Sequence, residues 1–300
     1  MNHEKLETLL NDIGGHLSHP TRRSEALSAK LQLCVALHWL GSGAQYHTVG
    51  DMHGISKASV CRCIHRVVQA INDVKFPQVI TWPENIMNVV EQFHGIAGFP
   101  QVIGCVDGTL IKIDRPTENE ANFVDRFGNH SLNCMVVCGP DCSFYYVSAR
   151  WPGSVNDARV LRNSSLNERM EGGWRPIPGS VILGDSIYPL KDWLIPPLND
   201  VQDPVVIAFN RAHKSTRRVV ENSLGILKEK FPCLNYLRVD PVFAANIFKC
   251  CTSLCNIARN EEDTYVPEIE LEENPDAVEI FPENEAPAPN ARERIEQLLN

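Results

Sequence analysis

No apolar run in this chain approaches the ~18 residues that a helix needs to cross a bilayer, and Met1 to Leu10 lack the basic-then-apolar layout of an export signal. Membrane insertion and secretion are therefore not expected. There is no GxGxxG and no P-loop, so a nucleotide cofactor or ATP chemistry has no footing. Zinc-site spacing is missing too: Cys61 with Cys63, the group Cys134, Cys138 and Cys142, and Cys250, Cys251 with Cys255 all lack paired ligands with a histidine partner. No Cys and His are tied together in a local nucleophile motif. The eleven cysteines are an odd number without an export signal, which reads as reduced, mostly buried thiols in a reducing compartment, cytosol or nucleus.

Positive charge is also scarce, but only in one place. The whole chain of 300 residues carries −9. Residues 261–300 hold 13 Asp or Glu against Arg292 and Arg294, a local balance of −11 that leaves +2 for residues 1–260. With five prolines and few aromatics, that tail cannot bury enough apolar surface to offset the entropy of ordering, and it reads as mostly disordered, with a short helix over 291–299. The remainder, in a chain with 43% hydrophobic residues, is long enough to build a core.

From Ser24 to Asn72 the pattern is helical. Leu27, Leu31, Cys34 and Val35 form one apolar stripe, and Val60, Ile64, Val67 and Ile71 another. Between them, Met52-His53-Gly54-Ile55-Ser56 reads as a helix stopped by Gly54 and restarted by Ser56 as N-cap, the layout of a helix-turn-helix. The polar face of the second helix presents Lys57, Ser59, Arg62, Arg66 and Gln69, donors suited to phosphates and base edges. The plainer alternative is a three-helix packing unit with solvated bases.

From Gln101 the texture changes to short apolar runs. QVIGCVDG reads as a core strand ending at Asp107, LIKIDRP as a second strand, and LNCMVVCG and FYYVSARWP as a third and fourth joined by a turn. VNDARVLRNSSLNERM reads as a helix, SVILGD as a strand ending at Asp185, Pro189 to Pro196 as a short helix and PVVIAF as a strand. Ala212 to Phe231 and VFAANIFKCCTSLCNIARN are helices. The order implies an α/β domain, a mixed sheet covered by helices.

Asp107 and Asp185 would then sit at carboxyl ends of central strands, the sheet edge where ligands bind. Glu221, on the border of a buried helical stripe, can point at the same rim, and Asp157 opens a nearby helix. Crowded carboxylates repel one another unless a cation neutralises them. Magnesium or manganese suits oxygen ligands, and a metal pair can activate water and stabilise the leaving oxygen of a phosphodiester. The competing reading makes the aspartates turn or cap residues and pairs Glu221 with Arg217 or Arg218 on the helix surface.

Asp185 and Glu221, separated by 35 residues, resemble the spacing of DDE transposases and integrases. More narrowly, GCVDGTLI, SLNCMVVC, WPGSVNDARVL, LGDSIYPL and RRVVENSLGILKEKF resemble the PIF/Harbinger superfamily over about residues 100–260. The resemblance implies a ribonuclease-H-like nuclease domain over 101–260, preceded by a helix-turn-helix DNA-binding region over 1–75 and a connector over 76–100, and followed by the tail. It implies Asp107, Asp185 and Glu221 as catalytic residues, those three with Asp157 as metal ligands, and Mg2+ or Mn2+ as cofactor. Lys214, Arg217 and Arg218 join Lys57, Ser59, Arg62 and Arg66 as candidate contacts to double-stranded DNA. A Myb/SANT-like partner protein would assist nuclear entry, the chain staying cytoplasmic without it, and self-association is left open. Two departures stand out: Asn156-Asp157-Ala158 where many relatives read His-Asp-Ser, and Arg126-Phe127-Gly128 where Arg-Lys-Gly is common. The alternative function is a catalytically idle, domesticated DNA-binding or scaffold protein.

Overall fold

Side-chain caps open most of the helices. The computed structural model describes residues 2–18, 26–199 and 203–259; the acidic tail and the start of the helical pattern at Ser24 lie outside them. Asn2 caps α1 (His3–Leu17) and Ser28 caps α2 (Ala29–Ser42), each accepting a backbone N–H of the first turn. The helix α3 (Tyr46–His53) ends at Gly54, whose φ of 65° suits glycine, and Ser56 then caps α4 (Lys57–Val74). Val60, Ile64, Val67 and Ile71 are fully buried, as their spacing requires. The stripe expected on α2 is rotated: Leu31 and Cys34 are only half-buried, while Leu33, Ala36, Trp39 and Leu40 turn inward. Gln32 goes in with them because its amide donates to the carbonyls of Leu17 at 3.0 Å and Leu27 at 2.8 Å. Two short helices, α5 (Phe76–Val79) and α6 (Ile86–Ala97), lead to the sheet.

Five strands follow: β1 (Val102–Lys112), β2 (Ser131–Cys138), β3 (Phe144–Pro152), β4 (Val181–Leu183) and β5 (Leu194–Ile195). Their spatial order is β3-β2-β1-β4-β5, with β1, β2 and β3 antiparallel and β4 and β5 parallel to β1 and to each other. Helices α7 (Asp157–Arg162), α8 (Ser165–Glu171), α9 (Pro204–Lys230) and α10 (Pro241–Ala258) complete the described chain. Strand order and directions are compatible with a ribonuclease-H-like fold.

Four expectations change. The two strands read on either side of Gly108 are one, so Asp107 lies within β1 rather than at its end. PVVIAF is the beginning of α9: Asp203 accepts the N–H of Val205 and Pro204 takes the first helical position, where its missing N–H costs nothing. Residues 189–196 hold no helix but a bend and β5. The helix read over 155–170 is two, because Ser164 interrupts it and caps α8.

The N-terminal helices pack on the sheet domain through α10. Asn72 donates to the carbonyl of Asn246 at 2.9 Å, and the His65 ring stacks on Phe243, centroids 3.6 Å apart and planes 7° from parallel. Asn256 is the polar knot of this junction: its amide donates to Val79 O and Phe144 O, both at 2.9 Å, and its carbonyl accepts Phe144 N–H at 2.9 Å. Asn256→Ala leaves these backbone groups unpaired where water is scarce, and should lower unfolding free energy by about 2–4 kcal/mol. Urea unfolding of the variant against the parent, with m unchanged, checks this; a loss below about 0.5 kcal/mol would mean solvent replaces the amide.

Candidate active site

Register brings the two aspartates to one level. Cys105 of β1 pairs with Leu183 of β4, and two residues further along each parallel strand stand Asp107 and Asp185. β4 has ended there while β1 runs on beside β2, which leaves a notch in the sheet. Cys105 Sγ lies 3.6 Å from the Thr216 carbonyl of α9, and alternate strand residues share a face, so Asp107 also looks onto α9. From that helix Arg217 reaches down: Nη1 is 3.2 Å from Asp107 Oδ2, and Nη2 donates to Glu221 one turn on. Asp107 and Arg217 each keep 16% of the side chain exposed, Glu221 50%. The guanidinium therefore bridges the first and third acids. Both readings of Glu221 meet here, since it pairs with Arg217 and does so at the sheet rim. Asp185 Oδ1 accepts the N–H of Ile187 at 3.0 Å.

Asp157 approaches from the other side. Gly108 faces away from α9, and the Asp157 carboxylate lies so close to it that a Cβ there could not be accommodated. Asn133 of β2 holds this carboxylate with its amide, which also donates to Val155 O at 2.8 Å. Asp157 and Asp107 thus flank one stretch of β1 from opposite faces.

Burial dominates the electrostatics. It pushes the Asp107 carboxyl up to about 6; Arg217 and the Gly108 N–H oppose this, while Asp185 and Asp157 add to it. Burial also raises Asp157, against the hydrogen bond from Asn133 and the charge of Arg126. For Arg217 burial disfavours the cation, but Asp107, Glu221 and Asp185 outweigh it and raise its pKa. The Tyr188 hydroxyl, missed in the motif reading, is buried beside this group with no hydrogen-bond partner. Burial and the charges of Asp157, Asp107 and Asp185 push it well above the ordinary phenol range. Only its place three residues after Asp185 could have flagged it. His213 is buried and turned away from the acids: burial lowers its pKa to about 4, and its ring N–H donates to Ile195 O at 2.8 Å. His130 sits 3.0 Å from Glu120.

The donor set has the chemistry of a divalent-cation site, four carboxylates against the guanidinium groups of Arg217 and Arg126. Its closure is different: among the described residues no three Asp, Glu, His or Cys side chains stand together closely enough to hold an ion. The candidate DNA contacts divide. Lys57, Arg62 and Lys214 are exposed, Ser59 and Arg218 half-buried. Arg62 donates to Ser59 Oγ at 3.2 Å, and Arg66 donates to Leu17 O at 2.8 Å, capping α1. Arg126 and Phe127 are exposed on a loop that Asp125 fastens, accepting the N–H groups of Phe127 and Asn129 and the hydroxyl of Ser131.

Residues 106–256 match the DDE superfamily endonuclease family, to which the chain belongs. Within it the chain is Harbinger-derived. It is 37% identical over 257 residues to the rat protein named "Putative nuclease HARBI1", covering 83% of this chain and 73% of that one. A Xenopus laevis protein of the same name is 32% identical over 275 residues, covering 88% and 77%. The Arabidopsis thaliana protein named "Protein ALP1-like" is 30% identical, covering 79% of this chain and 62% of its own. No solved structure matches.

The raised pKa of Asp107 fixes the direction of a stability effect. An unfolded aspartate charges near 3.8 and this one near 6, so below about pH 4 the folded chain bears no charging penalty, and above about pH 6 it bears all of it. Asp107→Asn should therefore stabilise the metal-free protein near pH 7.5 by on the order of 1–3 kcal/mol, the gain vanishing toward pH 4. Denaturant unfolding in EDTA at both pH values checks this, and a pH-independent difference would contradict it.

Proposed function

We propose that the chain is a metal-dependent DNA endonuclease of the Harbinger transposase type. The observation that carries this reading is the common level of Asp107 and Asp185 on parallel strands beneath Glu221, in a chain of the DDE endonuclease family. Asp107, Asp185 and Glu221 would hold the divalent cation, Mg2+ or Mn2+, with Asp157 behind Gly108 supporting them. Held there, the cation would supply the charge that activates a water and stabilises the leaving oxygen of a phosphodiester. The chain's own part is positioning. Asn133 fixes Asp157, the backbone of residues 185–187 fixes Asp185, and the exposed bases of α9, Lys214 and its half-buried neighbour Arg218, attract the phosphate backbone.

The start of α4 supplies a second DNA contact. Lys57 and Arg62 are exposed next to the Gly54 turn, the arrangement by which a helix enters a major groove. The chain acts in the nucleus on double-stranded DNA and depends on a Myb/SANT-like partner for import and targeting, remaining in the cytoplasm without it. No helix of the described residues is long and apolar enough to cross a membrane. One observation favours a second reading, an idle domesticated DNA-binding or scaffold protein: the acids do not close into an ion cage.

A plasmid and duplex-oligonucleotide cleavage assay with Mg2+ or Mn2+ separates the two. Asp185→Asn should reduce cleavage at least about 100-fold, the upper end of what losing an outer partner of a metal site costs, while binding DNA as before. Wild-type protein that binds but never cuts would establish the idle reading. On α4, Arg62→Ala should weaken DNA binding by about 1–3 kcal/mol if the side chain meets a base edge, without change in stability. Arg66→Ala should instead lower the unfolding midpoint, because α1 loses its cap. Salt-titrated binding and thermal unfolding of both variants test this, and interchanged effects would reverse the assignment.

A further inference from the structure

Arg217 was expected among surface bases that contact DNA, yet its guanidinium is sunk between two acids. It spans Asp107 on β1 and Glu221 on its own helix, 3.2 Å from the first and hydrogen-bonded to the second. Nη1 stands 3.2 Å from Asp107 Oδ2, a contact that holds the guanidinium against the strand. Asp157, on the far face, has Asn133 and Arg126 for compensation, which leaves Arg217 as the cation serving the α9 side.

We infer that Arg217 is the resident counter-ion of this site and a competitor for it: the guanidinium and a divalent cation occupy the Asp107–Glu221 gap in turn. This rests on the reading of those acids as metal ligands. The guanidinium already stands against the oxygens that an ion would need, and an ion entering the gap would meet its repulsion at short range. Loading therefore costs the ion pairs of Arg217, and removal of the ion lets the arginine return and hold the acids apart from one another. The arginine stands between the two carboxylates and keeps them from meeting. The exposure of Glu221 fits the same exchange. The glutamate is half in solvent and can follow the arginine outward or turn back to the sheet, whereas Asp107 is fixed in a strand. Linkage makes the competition reciprocal, so weakening the arginine strengthens the ion.

The test reads cation binding and stability directly, on the full-length protein. Mn2+ affinity is measured by titration calorimetry and by the paramagnetic signal of free Mn2+, and thermal unfolding is recorded in EDTA. Arg217→Gln should bind Mn2+ about tenfold more tightly, within the range typical of coupled sites, and unfold at a lower temperature without metal. Arg217→Lys keeps the charge but has no fork to bridge two carboxylates; it should fall between the two. Unchanged affinity in Arg217→Gln overturns the inference, as does a lysine variant that matches wild type, which would reduce the effect to charge at a distance. Should the glutamine variant not fold, the wild-type protein decides: the Arg217 Nε–H signal in a nitrogen-labelled sample should shift and exchange faster when Mg2+ is added, and an unmoved signal at saturation overturns the inference. Asp107→Asn separates this failure from that of the site itself. If it leaves Mn2+ binding intact, the metal-ligand reading falls; if it abolishes binding while Arg217→Gln changes nothing, only the competition does.

Discussion

The structure around the notch depends on one electrostatic problem: carboxylates set at the same level on adjoining strands, one of them largely out of water. Buried charge is tolerated when it is paired and hydrogen-bonded. Each acid is answered by a different device, Asp107 by Arg217 and the Gly108 N–H, Asp157 by Asn133, and Asp185 by the N–H of Ile187. Asp107 is answered incompletely, and its elevated pKa records the shortfall. Much of the surrounding sequence serves these devices. α9 keeps Arg217 and Glu221 four residues apart on one side while burying Val220, Leu224 and Leu227 on another, and Gly108 stays small so that Asp157 can approach.

What could be read in the sequence was whatever chemistry is local. Ser56 as a cap, Gly54 as a stop, the α4 stripe and the turn at residues 139–142 each depend on neighbours a few positions away, and each stands in the structure. Asp107, Asp185 and Glu221 were singled out from local traces, strand ends for the aspartates and a helix border for Glu221, and the trace misplaced Asp107, which lies within β1. Misreadings arose where tertiary context decides. PVVIAF has the β-branched composition of a strand, and only Asp203-Pro204 before it marks a helix start. Gly108-Thr109 looked like a break in β1, but pairing with β2 carries the strand through it. Arg217 looked like any helix-surface base, because nothing within its own helix shows that Asp107 waits across the gap.

The same limit applies to the N-terminal helices. Arg66 has the sequence signature of a DNA-reading residue, and the structure gives its guanidinium to the last carbonyls of α1, a helix with no obvious motif. The His65 ring stacked on Phe243 and Gln32 drawn inward by two carbonyls are likewise set by residues outside their own helices.

Asn256 has a bearing on how the protein comes to exist at all. Its partners lie 177 residues back at Val79 and 112 back at Phe144, so they are synthesised long before it. During translation, at roughly 5–20 residues per second, the edge of β3 and the end of α5 wait on the order of ten seconds or more for the side chain that completes them. An edge strand with unanswered backbone groups is the part of a nascent chain most apt to pair wrongly. The described fold therefore closes from α10, and a ribosome that stops short of that helix releases a sheet whose edge is open.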